Sequence, residues 1–181
     1  MNRRIVIVLA CALQATRAAA TILAPADLGD LSQDATAIVR GRVAAVESRW
    51  SADRRSINTL VTIDVESSLK GPLNVTTRFL LPGGTLGRYR SFVVGGPAFT
   101  VGQHVIVFLG WRPPDYPYLV GFSQGVFKVV ADRDGLGLVV IPPPIVRSGT
   151  QAVPITRGDL ARRPLPLAAF EQHVRDLVQG H

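Results

Sequence analysis

The 181-residue chain has a single cysteine, Cys11, and this scarcity limits its chemistry. A lone cysteine forms no internal disulfide and leaves no second thiol to share a metal ion. Cys11 also lies in an N-terminal stretch that we expect to be removed, so the mature chain would have no thiol. That excludes thiol catalysis and cysteine metal sites, and stability must come from packing. A chain of this length can bury such a core as one domain.

The chain also lacks an apolar run long enough to span a membrane. The N-terminal apolar stretch at residues 5–15 falls short of the about 20 residues of a spanning helix. It follows two arginines and precedes Ala18-Ala19-Ala20, small residues at the positions that a signal peptidase reads. This predicts a signal peptide over residues 1–20 and an exported protein, periplasmic or extracellular. The alternative is a lipoprotein, because Val8-Leu9-Ala10-Cys11 is similar to a lipobox and a lipidated Cys11 would anchor the chain to a membrane.

Acidic residues are fewer than basic ones, 13 against 20, for a net charge of +7. Loss of Arg3, Arg4 and Arg17 with the signal peptide lowers the charge to +4. That excess is too small to indicate nucleic-acid binding. Trp50 is also the only aromatic residue between residues 37 and 69, where the first two strands are predicted and where a binder of single strands needs stacking platforms. We therefore expect no nucleic-acid partner.

Histidines number three, and none has a spacing typical of metal ligands. His104, His173 and His181 lie far apart and have no cysteine partners. The stretch Asp132-Arg133-Asp134-Gly135 resembles the start of a calcium loop but lacks the rest of that pattern, so it is better explained as a turn. The sequence predicts no metal and no cofactor.

Turn residues divide the chain into short alternating segments, which predicts a mainly β fold. Strands are expected at residues 37–49, 57–69, 73–81, 89–94, 104–111, 118–131 and 138–141. A short helix is expected at residues 27–34 and an amphipathic helix at residues 167–179. This layout predicts a five-stranded, or slightly extended, OB-like Greek-key barrel over residues 21–141. A Pro/Arg-rich irregular arm, residues 142–166, would then lead to a C-terminal region, residues 167–181, whose helix packs on the barrel.

The stretch Gly121-Phe122-Ser123-Gln124-Gly125 fits G-x-S-x-G, the turn that presents a nucleophilic serine in α/β-hydrolases. That turn requires a helix after the serine, whereas the residues after Gly125 alternate as a strand does. Glycines at these two positions also suit a barrel strand at a bend or a close backbone approach. We therefore favour a structural role, with a serine hydrolase using Ser123 as an alternative.

A resemblance to known families rests on residues 31–131. A strand after a short helix, a second strand ending in Lys70-Gly71-Pro72 and a later strand containing Val107-Phe108-Leu109 resemble a family of uncharacterised exported bacterial proteins. The layout is more distantly similar to the N-terminal OB-like domain of tissue inhibitors of metalloproteinases. That similarity implies blockade of a zinc protease by an N-terminal cysteine. The chain departs from this mechanism, because the expected mature N-terminus is Thr21 and the inhibitors' disulfides are absent.

These observations favour a non-enzymatic binding module for a protein or an envelope component. Rigid loops commonly carry recognition, and the glycine-rich loop at residues 82–102 and the aromatic loop at residues 111–118 are the expected surfaces, together with the arm. The candidate binding residues are Trp111, Arg112, Tyr116, Tyr118, Arg88 and Tyr89. Two alternatives stay open: the aromatic residues cover the end of the barrel, or the chain inhibits a secreted metalloprotease.

Overall fold

The computed structural model of the protein describes residues 26–72, 74–143 and 163–180. The predicted signal peptide, Cys11 and most of the Pro/Arg arm lie outside the described residues. The helices are α1 (Leu28–Asp34) and α2 (Leu167–Gln179), and a 3₁₀ helix spans Phe122–Gly125. The strands are β1 (Ala37–Trp50), β2 (Ile57–Lys70), β3 (Thr76–Pro82), β4 (Gly84–Leu86), β5 (Tyr89–Ser91), β6 (His104–Gly110), β7 (Tyr118–Leu119), β8 (Val126–Ala131), β9 (Leu138–Ile141) and β10 (Leu165–Pro166). The mainly β prediction, with a helix near each end, is confirmed.

One large antiparallel sheet contains eight strands in the order β10-β9-β8-β6-β1-β2-β3, with β7 paired to the end of β6. Strands β4 and β5 form a separate hairpin. The predicted closed barrel is wrong, because the sheet has open edges. Strands β3 and β7 lie next to each other but are not paired in the sheet, and the backbone hydrogen bond between the two segments in the described chain runs from Leu80 N to Pro117 O, the residue before β7, at 3.2 Å. Strand β7 has only two residues and is too short to form a ladder of hydrogen bonds with β3, because the chain turns away at Gly121, whose φ is +63°.

The long strand β2 forms because β-branched side chains alternate along it, and it pairs with the equally long β1 over most of its length. Their register shifts at three places, one of them between Arg40 and Gly41. A Cβ at Gly41 would lie 2.2 Å from Asp64 O, so the close approach of the two backbones requires glycine there. A glycine at this position therefore allows the register shift between β1 and β2.

Strand β6 separates two hydrophobic cores. Its residues alternate between the faces of the sheet, and all but the first are buried. On one face Ile106 and Phe108 pack with α1 and α2, and on the other Val105 and Val107 pack against β1, β2 and β3. The strand predicted at residues 104–111 is thus a central one, since both faces of β6 are covered.

Both helices are fixed to the sheet by side chains that the sequence makes recognisable. Asp27 caps α1, accepting a hydrogen bond from Asp30 N at 2.7 Å, and Lys70 donates to Ser32 O at the other end of the helix at 2.7 Å. Phe170 of α2 packs on Phe127 of β8, with ring centroids 4.9 Å apart. Helix α2 has the predicted bounds. Neither described helix is long and apolar enough to cross a membrane.

Three predicted strands differ in the structure. The segment at residues 118–131 is not one strand, because the 3₁₀ helix divides it into β7 and β8. Strand β3 begins at Thr76 rather than at residue 73, and Val75 before it is 87% exposed. The pairing of β2 with β3 ends at Asp64 and Thr76, whereas β2 continues to Lys70 in pairing with β1. In the segment at residues 89–94, only Tyr89–Ser91 forms a strand, in the β4–β5 hairpin.

Candidate functional site

The β4–β5 hairpin carries the first group of exposed aromatic and basic side chains. Tyr89 contacts Trp50 edge-on, with ring centroids 5.3 Å apart. The Arg88 guanidinium lies over the Tyr89 ring at 5.1 Å and donates a hydrogen bond to its hydroxyl at 2.9 Å. Two of the predicted binding residues, Arg88 and Tyr89, are thus held together at the end of β1.

The hairpin is fixed to the sheet by polar contacts. The Thr59 hydroxyl donates to Gly83 O at 2.8 Å, and Thr85 N donates to Ser48 Oγ at 3.2 Å. A Cβ at Gly84 would lie 2.5 Å from Thr59 Oγ1, and the φ of Gly84 is +146°, so glycine permits this approach. These contacts therefore fix the hairpin, and with it Tyr89, to the sheet.

The loop between β6 and β7 carries the second group. Arg49 of β1 lies over the Tyr116 ring at 5.0 Å, and Arg112 lies over the Tyr118 ring at 5.7 Å. The Trp111 indole donates to Asp115 O at 2.8 Å, which closes the loop on itself. The remaining four predicted binding residues lie together here.

Tyr118 is placed by a cross-strand pair with Gly110. A Cβ on Gly110 would lie 2.5 Å from Tyr118 Cζ, so the ring rests directly on the glycine backbone. An aromatic ring that covers a glycine on the neighbouring strand is a known way of fixing strand pairing. The same contact holds the ring that Arg112 stacks on.

Two residues of the site were not among the predicted ones. Arg49 and Trp50, the last residues of β1, connect the two groups, Arg49 through Tyr116 and Trp50 through Tyr89. The sequence signal that could have identified them is a basic residue followed by an aromatic residue at the end of a long strand, just before a polar turn. We refer to residues 49–56, 84–91 and 111–118 together as the arginine–tyrosine surface.

Charge is concentrated on this surface. Its three segments hold six arginines and two aspartates, whereas the other described residues hold eight basic and ten acidic side chains. Within the described chain Arg49, Arg88 and Arg112 form no ion pair with a carboxylate. By contrast, Arg40 outside this surface pairs with both Glu66 and Glu171 at 2.8 Å. The arginine–tyrosine surface therefore presents guanidinium groups whose charge is uncompensated.

One aspartate of the surface is already engaged. The Ser51 hydroxyl donates to Asp53 Oδ1 at 2.6 Å and Arg55 N donates at 3.2 Å. The first of these hydrogen bonds, followed by the second, lowers the pKa of the Asp53 carboxyl below its ordinary value of 3.8. Asp53 thus stays ionised to organise the β1–β2 turn and neutralises little of the surface beyond Arg55, 4.0 Å away.

The G-x-S-x-G stretch lies apart from this surface and forms the 3₁₀ helix. A Cβ at Gly125 would lie 2.1 Å from Val120 O, which explains that glycine by close backbone approach. Gly121 packs against Leu31 of α1, and the Gln124 side chain accepts a hydrogen bond from Ala26 N at 2.9 Å. Ser123 is half-buried, and strand β8 follows it instead of the helix that a nucleophile turn requires.

No group of three or more metal-ligating side chains gathers anywhere in the part of the chain that the structure describes. His104 lies 3.1 Å from Glu66 at the edge of the Arg40 network, and His173 lies on α2. Neither the family models, nor the curated proteins, nor the solved structures contain a match for this chain.

Proposed function

We propose that this is an exported, non-enzymatic binding protein and that the arginine–tyrosine surface is its recognition site. The observation that carries the proposal is the set of three arginines stacked on tyrosines and left without carboxylate partners in the described chain. Arginine and aromatic side chains dominate the energetics of protein recognition. An uncompensated charge on a fixed side chain is available for a partner at little conformational cost.

The exposed aromatic residues support the same proposal. Trp111 is 57% exposed and Tyr116 is 42% exposed, although both have contacts that fix them. Trp111 leaves more than half of its surface exposed, and this exposure favours recognition over a role in covering the end of the sheet.

An OB-like arrangement is the finer form of the fold that we propose. Strands β3 and β7 run in the same direction, because each follows from β1 through two antiparallel pairings. The single hydrogen bond from Leu80 to Pro117 joins them where an OB barrel would close. In such folds the loops around the barrel commonly contact ligands, which agrees with the position of the aromatic loop.

Export is proposed from the sequence. Mass spectrometry of the mature protein is expected to find Thr21 at its N-terminus. A diacylglyceryl group on Cys11 would contradict this and show a membrane-anchored form.

Photocrosslinking tests the recognition site. A benzoylphenylalanine at position 116 or 89 is expected to capture a partner in extracts of the exporting cell, with the same captured species at both positions. The matched control is position 136, since Leu136 is 94% exposed but lies outside the surface. Absence of capture at 116 and 89, or equal capture at 136, would overturn the proposal.

Inhibition of a secreted protease is the second proposal. The loop between β6 and β7 exposes a tryptophan and is closed by its own hydrogen bond. A loop of this kind is suited to insertion into the active-site cleft of a protease. A panel of secreted metallo- and serine proteases tests it, with the Trp111→Ala variant as the control that should not inhibit.

A further inference from the structure

We infer that the ligand of the arginine–tyrosine surface is an acidic segment of another protein, rich in aspartate or glutamate with interspersed apolar residues. This inference rests on the proposed function and specifies the chemistry of its partner. It begins from the way in which the arginines are held. Arg49, Arg88 and Arg112 lie 5.0, 5.1 and 5.7 Å from the centroids of Tyr116, Tyr89 and Tyr118.

A guanidinium stacked on a ring has its position fixed while its N–H edge stays available. The planar fork of arginine matches a carboxylate with two parallel hydrogen bonds, and little rotamer freedom is lost when it is already stacked. Stacking therefore lowers the cost of engaging a planar, bidentate anion. The side-chain carboxylates of aspartate and glutamate are such anions.

Charge complementarity points to the same ligand. The surface carries six arginines against two aspartates, while the rest of the described chain carries more acidic than basic side chains. An acidic segment is therefore drawn to this surface in preference to the remainder of the described molecule. The effect orients the partner as well as attracting it.

Exposed apolar residues extend the surface beyond β5. Phe92 is 74% exposed and Val94 is 75% exposed, directly after the strand that carries Tyr89. Trp111, within the surface, is exposed as well, at 57%. This favours a partner segment in which apolar side chains accompany the carboxylates.

Nucleic acid and lipid fit the arrangement less well. Single-stranded nucleic acid needs aromatic faces on which bases stack, and the three tyrosine rings already carry guanidinium groups. Tyr118 also rests on Gly110, and Tyr89 contacts Trp50. An anionic bilayer responds to total charge and apolar area, so it gains nothing from arginines held in fixed stacks.

The experiment measures binding of fluorescein-labelled decaglutamate by anisotropy at low salt, with decaglutamine as the neutral peptide. We expect decaglutamate to bind and decaglutamine not to bind, and the affinity to fall as salt rises.

The variant R49K/R88K/R112K keeps the charge but loses the stacked guanidinium groups, and it should bind decaglutamate at least about tenfold more weakly. The single change Tyr116→Leu, which removes one stacking ring and no charge, should weaken binding in the same direction. Arg133→Lys is the matched control and should bind as the wild type does, because Arg133 lies in the β8–β9 turn outside the surface.

Three results would overturn the inference. They are absence of decaglutamate binding by the wild-type protein, equal binding by the triple-lysine variant, and tighter binding to phosphatidylglycerol vesicles than to the peptide. Circular dichroism of each variant establishes that it is folded. If crosslinks form at positions 116 and 89 while decaglutamate does not bind, the inference about acidic chemistry fails and the recognition site stands. If neither occurs, the proposed function fails as well.

Discussion

At the scale of single residues, the glycines of the G-x-S-x-G stretch are explained by space rather than by catalysis. Gly125 allows the backbone to pass Val120 O at a distance that no Cβ tolerates. We expect Gly125→Ala to lower the free energy of unfolding by about 1–3 kcal/mol, because the backbone must shift to admit the methyl group. Urea unfolding followed by circular dichroism measures the change.

The matched control is Gly137→Ala, since a Cβ at Gly137 would meet nothing within 4 Å. That variant should unfold at close to the wild-type urea midpoint. If the two variants lost equal free energy of unfolding, the close approach of the backbone to Val120 O would not be the reason for glycine at position 125.

The β1–β2 turn gives a second prediction at this scale. The hydrogen bond from Ser51 is the main cause of the lowered pKa of Asp53, so Ser51→Ala should raise that pKa toward 3.8. A carboxyl whose pKa is lower in the folded state adds stability at pH values above its unfolded pKa and loses this contribution as the pH falls through the folded value. Carbon-detected NMR titration of the Asp53 carboxyl below pH 5 measures the shift. An unchanged titration midpoint in the variant would contradict the assigned cause.

At the scale of elements, charged side chains join α2 to the sheet. Arg40 of β1 contacts Glu66 of β2 and Glu171 of α2, and Arg175 adds a second partner for Glu171 at 3.1 Å. The Glu171 side chain is only 12% exposed, so this network is less screened by water than a surface pair is. We expect Glu171→Gln to lower the free energy of unfolding by about 1–3 kcal/mol, because it leaves Arg40 and Arg175 with weakened partners.

Arg55→Gln provides the comparison for that network. Its pair with Asp53 spans 4.0 Å, and the two side chains are 88% and 60% exposed. Exposed pairs of this kind contribute about 0–1 kcal/mol, so the variant should unfold at nearly the wild-type urea concentration. A larger loss from Arg55→Gln than from Glu171→Gln would mean that burial does not determine the strength of these pairs.

Elements whose signal is local could be predicted from the sequence. Alternation along residues 57–69 identified β2, and the apolar spacing of residues 167–179 gave helix α2 with its bounds. The 3₁₀ helix was missed, because glycines at 121 and 125 suit a strand bend as well as a tight turn. The open edge of the sheet was missed because it depends on how far β7 runs beside β3, a contact between distant parts of the chain.

The candidate site could likewise be predicted from the sequence only where its signal is local. The aromatic loop at residues 111–118 was visible as a local cluster, and so were Arg88 and Tyr89. The contribution of Arg49 and Trp50 was not visible, since each contacts a ring that comes from another element. Periodicity gives the face of a strand on which a residue lies, but it does not give the loop that folds over the end of that strand.

At the scale of the whole molecule, two cores share one sheet. The core under the helices includes Phe127, Phe170 and Val174, and the opposite core includes Val61 and Phe79. Because β6 contributes alternate residues to both cores, loss of either one exposes a face of the same strand. The described residues should therefore unfold as one cooperative unit.

Two optical probes report on different parts of this unit. Both tryptophans, Trp50 and Trp111, lie on the arginine–tyrosine surface, whereas the two α-helices of the described chain pack over the core that contains Ile106 and Phe108. Tryptophan fluorescence and ellipticity at 222 nm should thus give the same urea midpoint if β6 couples the two cores.

In Phe170→Ala, the loss of a fully buried ring that packs on Phe127 should lower the free energy of unfolding by about 3–5 kcal/mol. Both midpoints should move together, although the substitution lies in α2 and the tryptophans do not. Val130→Ala, at a side chain 42% exposed, serves as the control and should leave both midpoints nearly unchanged. If ellipticity were lost before fluorescence in either protein, the helices would form a separately unfolding layer, and the recognition surface would keep its structure without them.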